Sequence, residues 1–227
     1  MKFLQDQLKE IVEKSKHKEE LEKRISIGDF EFVFITLLDE KLITYNDYLN
    51  LKSEYIKRNL NLEVIKIAAP RTFGKWGEDH IAGLIPEFKP ASEIKVNGEF
   101  DLYYQKPKGI VKIEVKAGRA IDRTNDKAPY HERALISTDI SGLFDMNFQQ
   151  MKPTCFDVVI MIGVWADKFR YWLMTSEQMK KNRYFSTGQH RGNKGYEGQL
   201  HIKTENILEF SAFEVTPEQI LNKIKKL

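Results

Sequence analysis

A near-continuous apolar run at Phe156–Trp165 is the feature that most constrains the fold of this chain. A strand with apolar residues at successive positions is covered on both faces, because a half-exposed strand would alternate apolar and polar side chains. Residues 166–168 predict a turn into a second strand at Phe169–Thr175, and we expect this hairpin to lie in the core. At 227 residues and 41% hydrophobic content, the chain can form one domain, residues 1–227, around a sizeable core.

A second hairpin is predicted from Glu99–Tyr104 and Ile110–Ala117, which are joined by a tight turn containing Pro and Gly. Side chains alternate between the two faces of a strand, so Glu114 and Lys116 share one face. A hairpin centred on this turn pairs Asp101 with Glu114. The sequence therefore predicts two carboxylates and an ammonium group close together on one surface.

This cluster has a use in phosphodiester hydrolysis. Two close carboxylates repel each other unless a divalent cation lies between them, and hard oxygen ligands are those that Mg²⁺ prefers. Lys116 points the same way as Glu114, where it could orient or deprotonate a water and stabilise the charge that builds on a phosphate. The alternative is an ordinary exposed hairpin with charged side chains paired across its surface.

The spacing of these residues resembles a nuclease motif. Asp101, a spacer of twelve residues and then Glu114-Val115-Lys116 match the pattern of the PD-(D/E)xK nucleases, with Phe100 where that family often has proline. The order of predicted elements over residues 71–210 is similar to that of the type II restriction endonucleases in this superfamily.

The resemblance implies an α/β fold, with a PD-(D/E)xK core made of a central mixed β-sheet flanked by helices. It implies a sequence-specific endonuclease that cuts double-stranded DNA at a palindromic site as a homodimer, while a cognate methyltransferase protects the host site. It also implies Mg²⁺ as the cofactor and assigns roles to residues of the motif. The catalytic residues would be Asp101, Glu114 and Lys116, and the backbone carbonyl of Val115 would join Asp101 and Glu114 as a metal ligand.

Helices are expected around this core. Residues 1–60 have the apolar spacing of amphipathic helices, with Thr44 as one N-cap, and match no motif. A further helix is predicted over residues 71–85, and its Glu78 resembles the accessory metal ligand of PD-(D/E)xK nucleases, with a surface carboxylate as the alternative. Leu143–Met151 is also predicted to be helical.

Two polar segments are candidates for DNA contact. The segment after Lys116 reads as a long loop at the mouth of the site, and its basic side chains could reach phosphates or bases: Arg119, Arg123, Lys127 and Arg133. A glycine-rich segment further on carries side chains of the kind that read base edges: Gln189, His190, Arg191 and Asn193. The alternatives are a solvated loop in the first case and a flexible polar loop in the second. An HNH-type metal site from His190, Asn193 and His201 is a weaker alternative.

Composition limits the classes of function without selecting one. The formal net charge of +3 is compatible with almost any partner and does not prove nucleic-acid binding. The single cysteine excludes an intrachain disulfide and a cysteine-rich zinc site, which favours a reducing cytoplasm. No apolar stretch approaches the roughly 20 residues that span a bilayer, so we expect neither secretion nor membrane insertion.

Two other functions remain open at this point. One is a PD-(D/E)xK nuclease of repair or recombination that recognises DNA structure instead of sequence. The polar segments at residues 118–134 and 186–198 favour base readout over that alternative. The other is a non-catalytic DNA-binding protein on a nuclease fold, against which the intact Asp101, Glu114 and Lys116 weigh.

Overall fold

The computed structural model describes residues 4–94, 99–124, 126–139, 141–188 and 197–227. Its α-helices are α1 Leu4–Val12, α2 Lys18–Ser26, α3 Phe30–Asp39, α4 Tyr45–Arg58, α5 Leu62–Lys66, α6 Pro70–Leu84, α7 Ser176–Lys180 and α8 Pro217–Lys225. Its strands are β1 Phe88–Pro90, β2 Leu102–Gln105, β3 Ile110–Arg119, β4 Asp145–Met151, β5 Val158–Val164, β6 Phe169–Thr175, β7 Phe185–Thr187, β8 Gly198–Lys203 and β9 Glu214–Val215. Short 3₁₀ helices cover Ala91–Ile94 and Ile207–Phe213.

Helices α1 to α4 form an N-terminal unit with an apolar core of its own. The amphipathic pattern of residues 1–60 produces this packing, because each helix turns one apolar stripe towards the others. The predicted cap at Thr44 is confirmed: its hydroxyl accepts a hydrogen bond from the Asp47 N–H, and the Asp47 carboxylate accepts one from the Thr44 N–H. Across the described residues, no helix combines the length and apolarity needed to cross a membrane.

A mixed sheet is the centre of the fold. Within the described residues its strand order is β1-β2-β3-β5-β6-β9, with β3 and β5 parallel and the other neighbours antiparallel. Every residue of β5 is buried, which confirms that this apolar run is covered on both faces. The chain is therefore an α/β protein with a central mixed sheet flanked by helices, as expected.

The two faces of this sheet meet different layers. One face packs against α5, α6 and α8, and Gly77 lets α6 approach closely, since a Cβ added there would lie 3.3 Å from the Ala117 Cβ. The other face packs against a small antiparallel sheet of order β4-β8-β7. Gly118 allows that approach, because an added Cβ would lie only 2.9 Å from the Met146 Cβ. Residues 112, 114 and 116 of β3 share the parity of Gly118 and face the small sheet.

The predicted helix over Leu143–Met151 is wrong, because most of this segment is strand β4. Phe144, Met146 and Phe148 are buried at every second position, which is the period of a strand, and β8 supplies the backbone partners. A β-bulge between Phe148 and Met151 then breaks the alternation, and this irregularity obscured the strand pattern in the sequence.

Candidate functional site

Strands β2 and β3 bring the predicted carboxylates and lysine into one cavity of about 150 Å³. The last pair of the ladder between the two strands is Leu102 with Ile113, so Asp101 lies opposite Glu114 one step further on. The Asp101 N–H still donates a hydrogen bond to the Ile113 carbonyl at 3.0 Å, which holds this register. Asp101, Glu114 and Lys116 all line the cavity, as the hairpin pattern predicts.

Direct contacts fix the orientation of the three side chains. The Lys116 Nζ lies 2.5 Å from Glu114 Oε1, and one Asp101 oxygen, Oδ2, accepts the Val115 N–H at 2.8 Å. In a strand the N–H and C=O of one residue point to the same side. The Val115 carbonyl therefore points to the same edge as Asp101, where the pattern of the nucleases expects a metal ligand.

Burial and charge shift the pKa values of this cluster. The pKa of Glu114 is raised from 4.5 to about 7, because burial, the largest effect, and the charge of Asp101 together outweigh the Lys116 ammonium, which lowers it. Burial alone would lower the pKa of Lys116, but the charges of Glu114, Asp101 and Glu78 outweigh burial and raise it. Lys116 is thus held as an ammonium, and Glu114 is a carboxyl whose ionised form needs a further positive charge to stabilise it.

Glu78 approaches the cluster from the helical layer. It follows Gly77 on α6, at the point where this helix packs closely on β3, and its side chain is 27% exposed. Burial and the charge of Asp101 raise its pKa, while Lys75, 3.2 Å from Glu78 Oε2, lowers it. The carboxylate is close enough to interact electrostatically with Asp101 and Lys116, although its direct ion pair is with Lys75.

The oxygen donors of the cavity suit a hard divalent cation. The described part of the chain holds no group of three or more His, Cys, Asp or Glu side chains that could bind a metal, so Glu78 does not complete such a group. The set expected for Mg²⁺ needs only two carboxylates, Asp101 and Glu114, with the Val115 carbonyl. Among its described lining residues, the cavity has four carboxylates and two ammonium groups, a formal excess of two negative charges. A divalent cation would balance this excess.

The structure adds lining residues that the sequence did not indicate: Glu99, Gln150, Lys152 and Glu197. Gln150 and Lys152 come from the end of β4, and Glu197 directly precedes β8. Their place depends on the small sheet lying over β3. No spacing in the sequence signals that arrangement, since β4 lies about 30 residues beyond the motif.

Arg119 lies on the face of the sheet opposite to the cavity. It lies three positions after Lys116, and this odd interval places the two side chains on opposite faces of β3. Its guanidinium donates to the backbone carbonyls of Ile65, at 3.1 Å, and Ile67, and lies 3.5 Å above the Phe73 ring. Burial lowers its pKa. Arg119 therefore ties α5 and α6 to the sheet, on the face away from the carboxylate cavity, and its contact with DNA stays a prediction.

The other basic residues of the predicted loop do not line the carboxylate cavity. Arg123 is exposed and pairs with Asp145 at 3.1 Å, and Lys127 is exposed. Arg133 donates to the backbone carbonyls of Asp122, at 2.8 Å, and Asp126, at 3.3 Å. Arg133 also lines a larger cavity, of about 410 Å³, between this loop and the N-terminal unit. The part of the loop at residues 131–136 thus faces the N-terminal helices and does not line the carboxylate cavity.

The second group of candidate DNA contacts lies outside the described residues. Gln189, His190, Arg191 and Asn193 fall between β7 and β8, in the undescribed segment 189–196. His201, the third residue of the HNH alternative, lies on β8 with its Nδ1 2.6 Å from Asp145 Oδ1. Asp145 also lies 3.7 Å from Lys203 Nζ, so this carboxylate interacts with two side chains of β8, His201 and Lys203.

No protein-family model matches the chain. A search of curated proteins finds no significant match. The chemistry of the cavity is therefore the basis on which function is inferred.

Proposed function

We propose that this protein is a Mg²⁺-dependent endonuclease of double-stranded DNA, built on a PD-(D/E)xK core and acting as a type II restriction enzyme. The observation that carries the proposal is the convergence of Asp101, Glu114 and Lys116 in one cavity, at the point where β2 begins. Two carboxylates can hold a divalent cation and a neighbouring lysine can stabilise charge on a phosphate, which together suit metal-assisted phosphodiester hydrolysis.

Asp101, Glu114 and the Val115 carbonyl would hold the metal. A bound Mg²⁺ would supply Lewis-acid activation of a water and would offset the negative charge of the scissile phosphate. Asp101 is already oriented for this role, because its Oδ2 is fixed by the Val115 N–H and its other oxygen is directed away from that bond. A cation would stabilise the ionised form of Glu114, whose pKa is raised to about 7, mainly by burial.

Lys116 acts through its charge. Its pKa is raised by the carboxylates around it, so at neutral pH it is an ammonium that can stabilise the charge building on a phosphate oxygen or orient the attacking water. Deprotonation of a water by Lys116 would require a substantial fall in its pKa. A divalent cation at Asp101 and Glu114 would lower the lysine pKa, because it would offset the charges of these two carboxylates.

Cleavage of plasmid DNA in the presence of Mg²⁺ tests the proposal. A restriction enzyme gives discrete bands, a structure-specific nuclease cuts branched substrates, and a binding protein leaves the plasmid intact. Asp101→Ala, Glu114→Ala and Lys116→Ala should each abolish cleavage and leave DNA binding largely intact. Lys112→Ala is the matched control, since Lys112 lies two residues before Glu114 on the same face of β3 but does not line the cavity. Wild-type cleavage by Lys116→Ala would overturn the assignment.

Action on a palindrome requires two copies of the site, so we propose a homodimer. Sedimentation of the protein with and without a cleavable duplex measures the number of copies bound. A single copy on a duplex that is cut in both strands would refute this part of the proposal and leave the chemistry unaffected.

A further inference from the structure

A β-bulge near the end of β4 turns side chains of this segment towards the carboxylate cavity. The register between β4 and β8 runs from Asp145 with Lys203 to Phe148 with Leu200, and then shifts by one residue to pair Met151 with Gly198. Before the bulge the even-numbered residues of β4 are buried, and after it Met151 is buried instead. The extra residue therefore keeps the side chains of Gln150 and Lys152 out of the core. Both side chains line the carboxylate cavity instead.

Gln150 has a backbone conformation that a side chain rarely adopts. Its φ is +58°, in the left-handed region that favours glycine. Such strain persists where the surrounding structure requires it, and it is concentrated at functional sites. The chain thus keeps a glutamine at a position of the cavity wall where glycine would fit the backbone better.

Lys152 is the second cation of the cavity and is held by Glu197. Its Nζ lies 3.6 Å from Glu197 Oε1, and the two residues continue the register of Met151 with Gly198. The side chains are 29% and 15% exposed, so the pair is screened from most solvent yet open to the cavity. Lys152 also lowers the pKa of Glu114, which places its charge within reach of the carboxylate cluster.

We propose that Lys152 and Gln150 form a phosphate-binding subsite for the nucleic-acid backbone, on the cavity wall opposite Asp101 and Glu114. In this inference, which rests on the proposed nuclease function, Lys152 exchanges Glu197 for a phosphate oxygen when the substrate enters. Glu197 keeps the ammonium away from Glu114 until then, so that Lys152 does not take the place of the metal. Gln150 supplies an amide that can donate to the same phosphate.

Binding of a fluorescein-labelled random-sequence DNA duplex in Ca²⁺ tests the subsite without cleavage. Log affinity falls with log salt concentration, and loss of one phosphate contact makes this fall less steep by about 0.9. At about 0.1 M salt the same loss corresponds to roughly eightfold weaker binding. Lys152→Ala should show both changes. Lys180→Ala is the matched control, because Lys180 is also paired, with Glu177 at 2.6 Å, but lies outside this cavity.

Two more variants separate the subsite from a general charge effect. Glu197→Gln should tighten binding, and the gain should be smaller when Lys152→Ala is also present, because release of Lys152 is its main cause. Gln150→Gly should weaken binding, because it removes the side-chain amide and leaves a residue that suits the backbone at this position. Equal effects of Lys152→Ala and Lys180→Ala, or an equal gain from Glu197→Gln in both backgrounds, would overturn the subsite.

The same measurements distinguish the subsite from the proposed function. If the wild type binds DNA and Lys152→Ala weakens binding as expected, but Mg²⁺ brings no cleavage, the nuclease proposal fails and the subsite stands. If the wild type cuts DNA and Lys152→Ala binds like Lys180→Ala, the subsite fails and the nuclease stands. Absence of any DNA binding by the wild type would refute both.

Discussion

Replacing Glu114 by glutamine should stabilise the metal-free protein at alkaline pH. Glu114 is only 6% exposed. Burial raises its pKa from 4.5 to about 7, although the ammonium of Lys116 acts in the opposite direction. Ionisation therefore costs more in the folded protein than in the unfolded chain. The difference between the two pKa values corresponds to about 3 kcal/mol in the free energy of unfolding.

The direction of the pH dependence follows from this raised pKa. Below pH 4.5, the ordinary value, Glu114 is protonated in both states and its contribution to stability is fully present. As the pH rises through about 7 the folded protein must ionise a buried carboxyl, and the contribution is lost. Glutamine has no proton to lose. Glu114→Gln should therefore match the wild type at low pH and exceed it by about 3 kcal/mol above neutrality.

Urea denaturation in EDTA, from about pH 4 to about pH 8.5, measures the difference at each pH. Glu63→Gln is the control, because Glu63 is an exposed glutamate of α5 whose side chain is paired with Lys66. This control should change stability by no more than about 0.5 kcal/mol at any pH. A Glu114→Gln variant that is less stable than the wild type above neutrality, or a difference that is flat across the range, would refute the reasoning from burial.

Three further outcomes are expected. Arg119→Ala should lower the free energy of unfolding by about 2 to 3 kcal/mol, because it removes hydrogen bonds to the Ile65 and Ile67 carbonyls. A variant that loses DNA binding with unchanged stability would contradict this expectation. Gly77→Leu should lower the melting temperature, since even a Cβ would lie 3.3 Å from Ala117, whereas Gly74→Leu on the same helix meets open space and should not. Calcium should support binding without cutting, as gel-shift and plasmid assays can show, and rapid cleavage in Ca²⁺ alone would exclude the proposed metal chemistry.

Local periodicity determined the half of the site that lies on one hairpin. The alternation of side chains along β3 places Glu114 and Lys116 on one face, and the tight turn before it fixes the register that brings Asp101 opposite Glu114. The same alternation predicts that Arg119 lies on the face of β3 opposite to Glu114 and Lys116. The apolar run at β5 likewise fixed its burial, because a strand with no polar face must be covered twice.

Tertiary structure alone decided the other half. Lys152 and Glu197 reach the cavity only because the small sheet packs over β3, where Gly118 permits the close approach. A bulge at Gln150 then sets which side chains face the core, and a one-residue shift of register cannot be read from the segment itself. Pairing between distant strands is fixed by the packing of the whole fold, whereas a hairpin carries its own register in its turn.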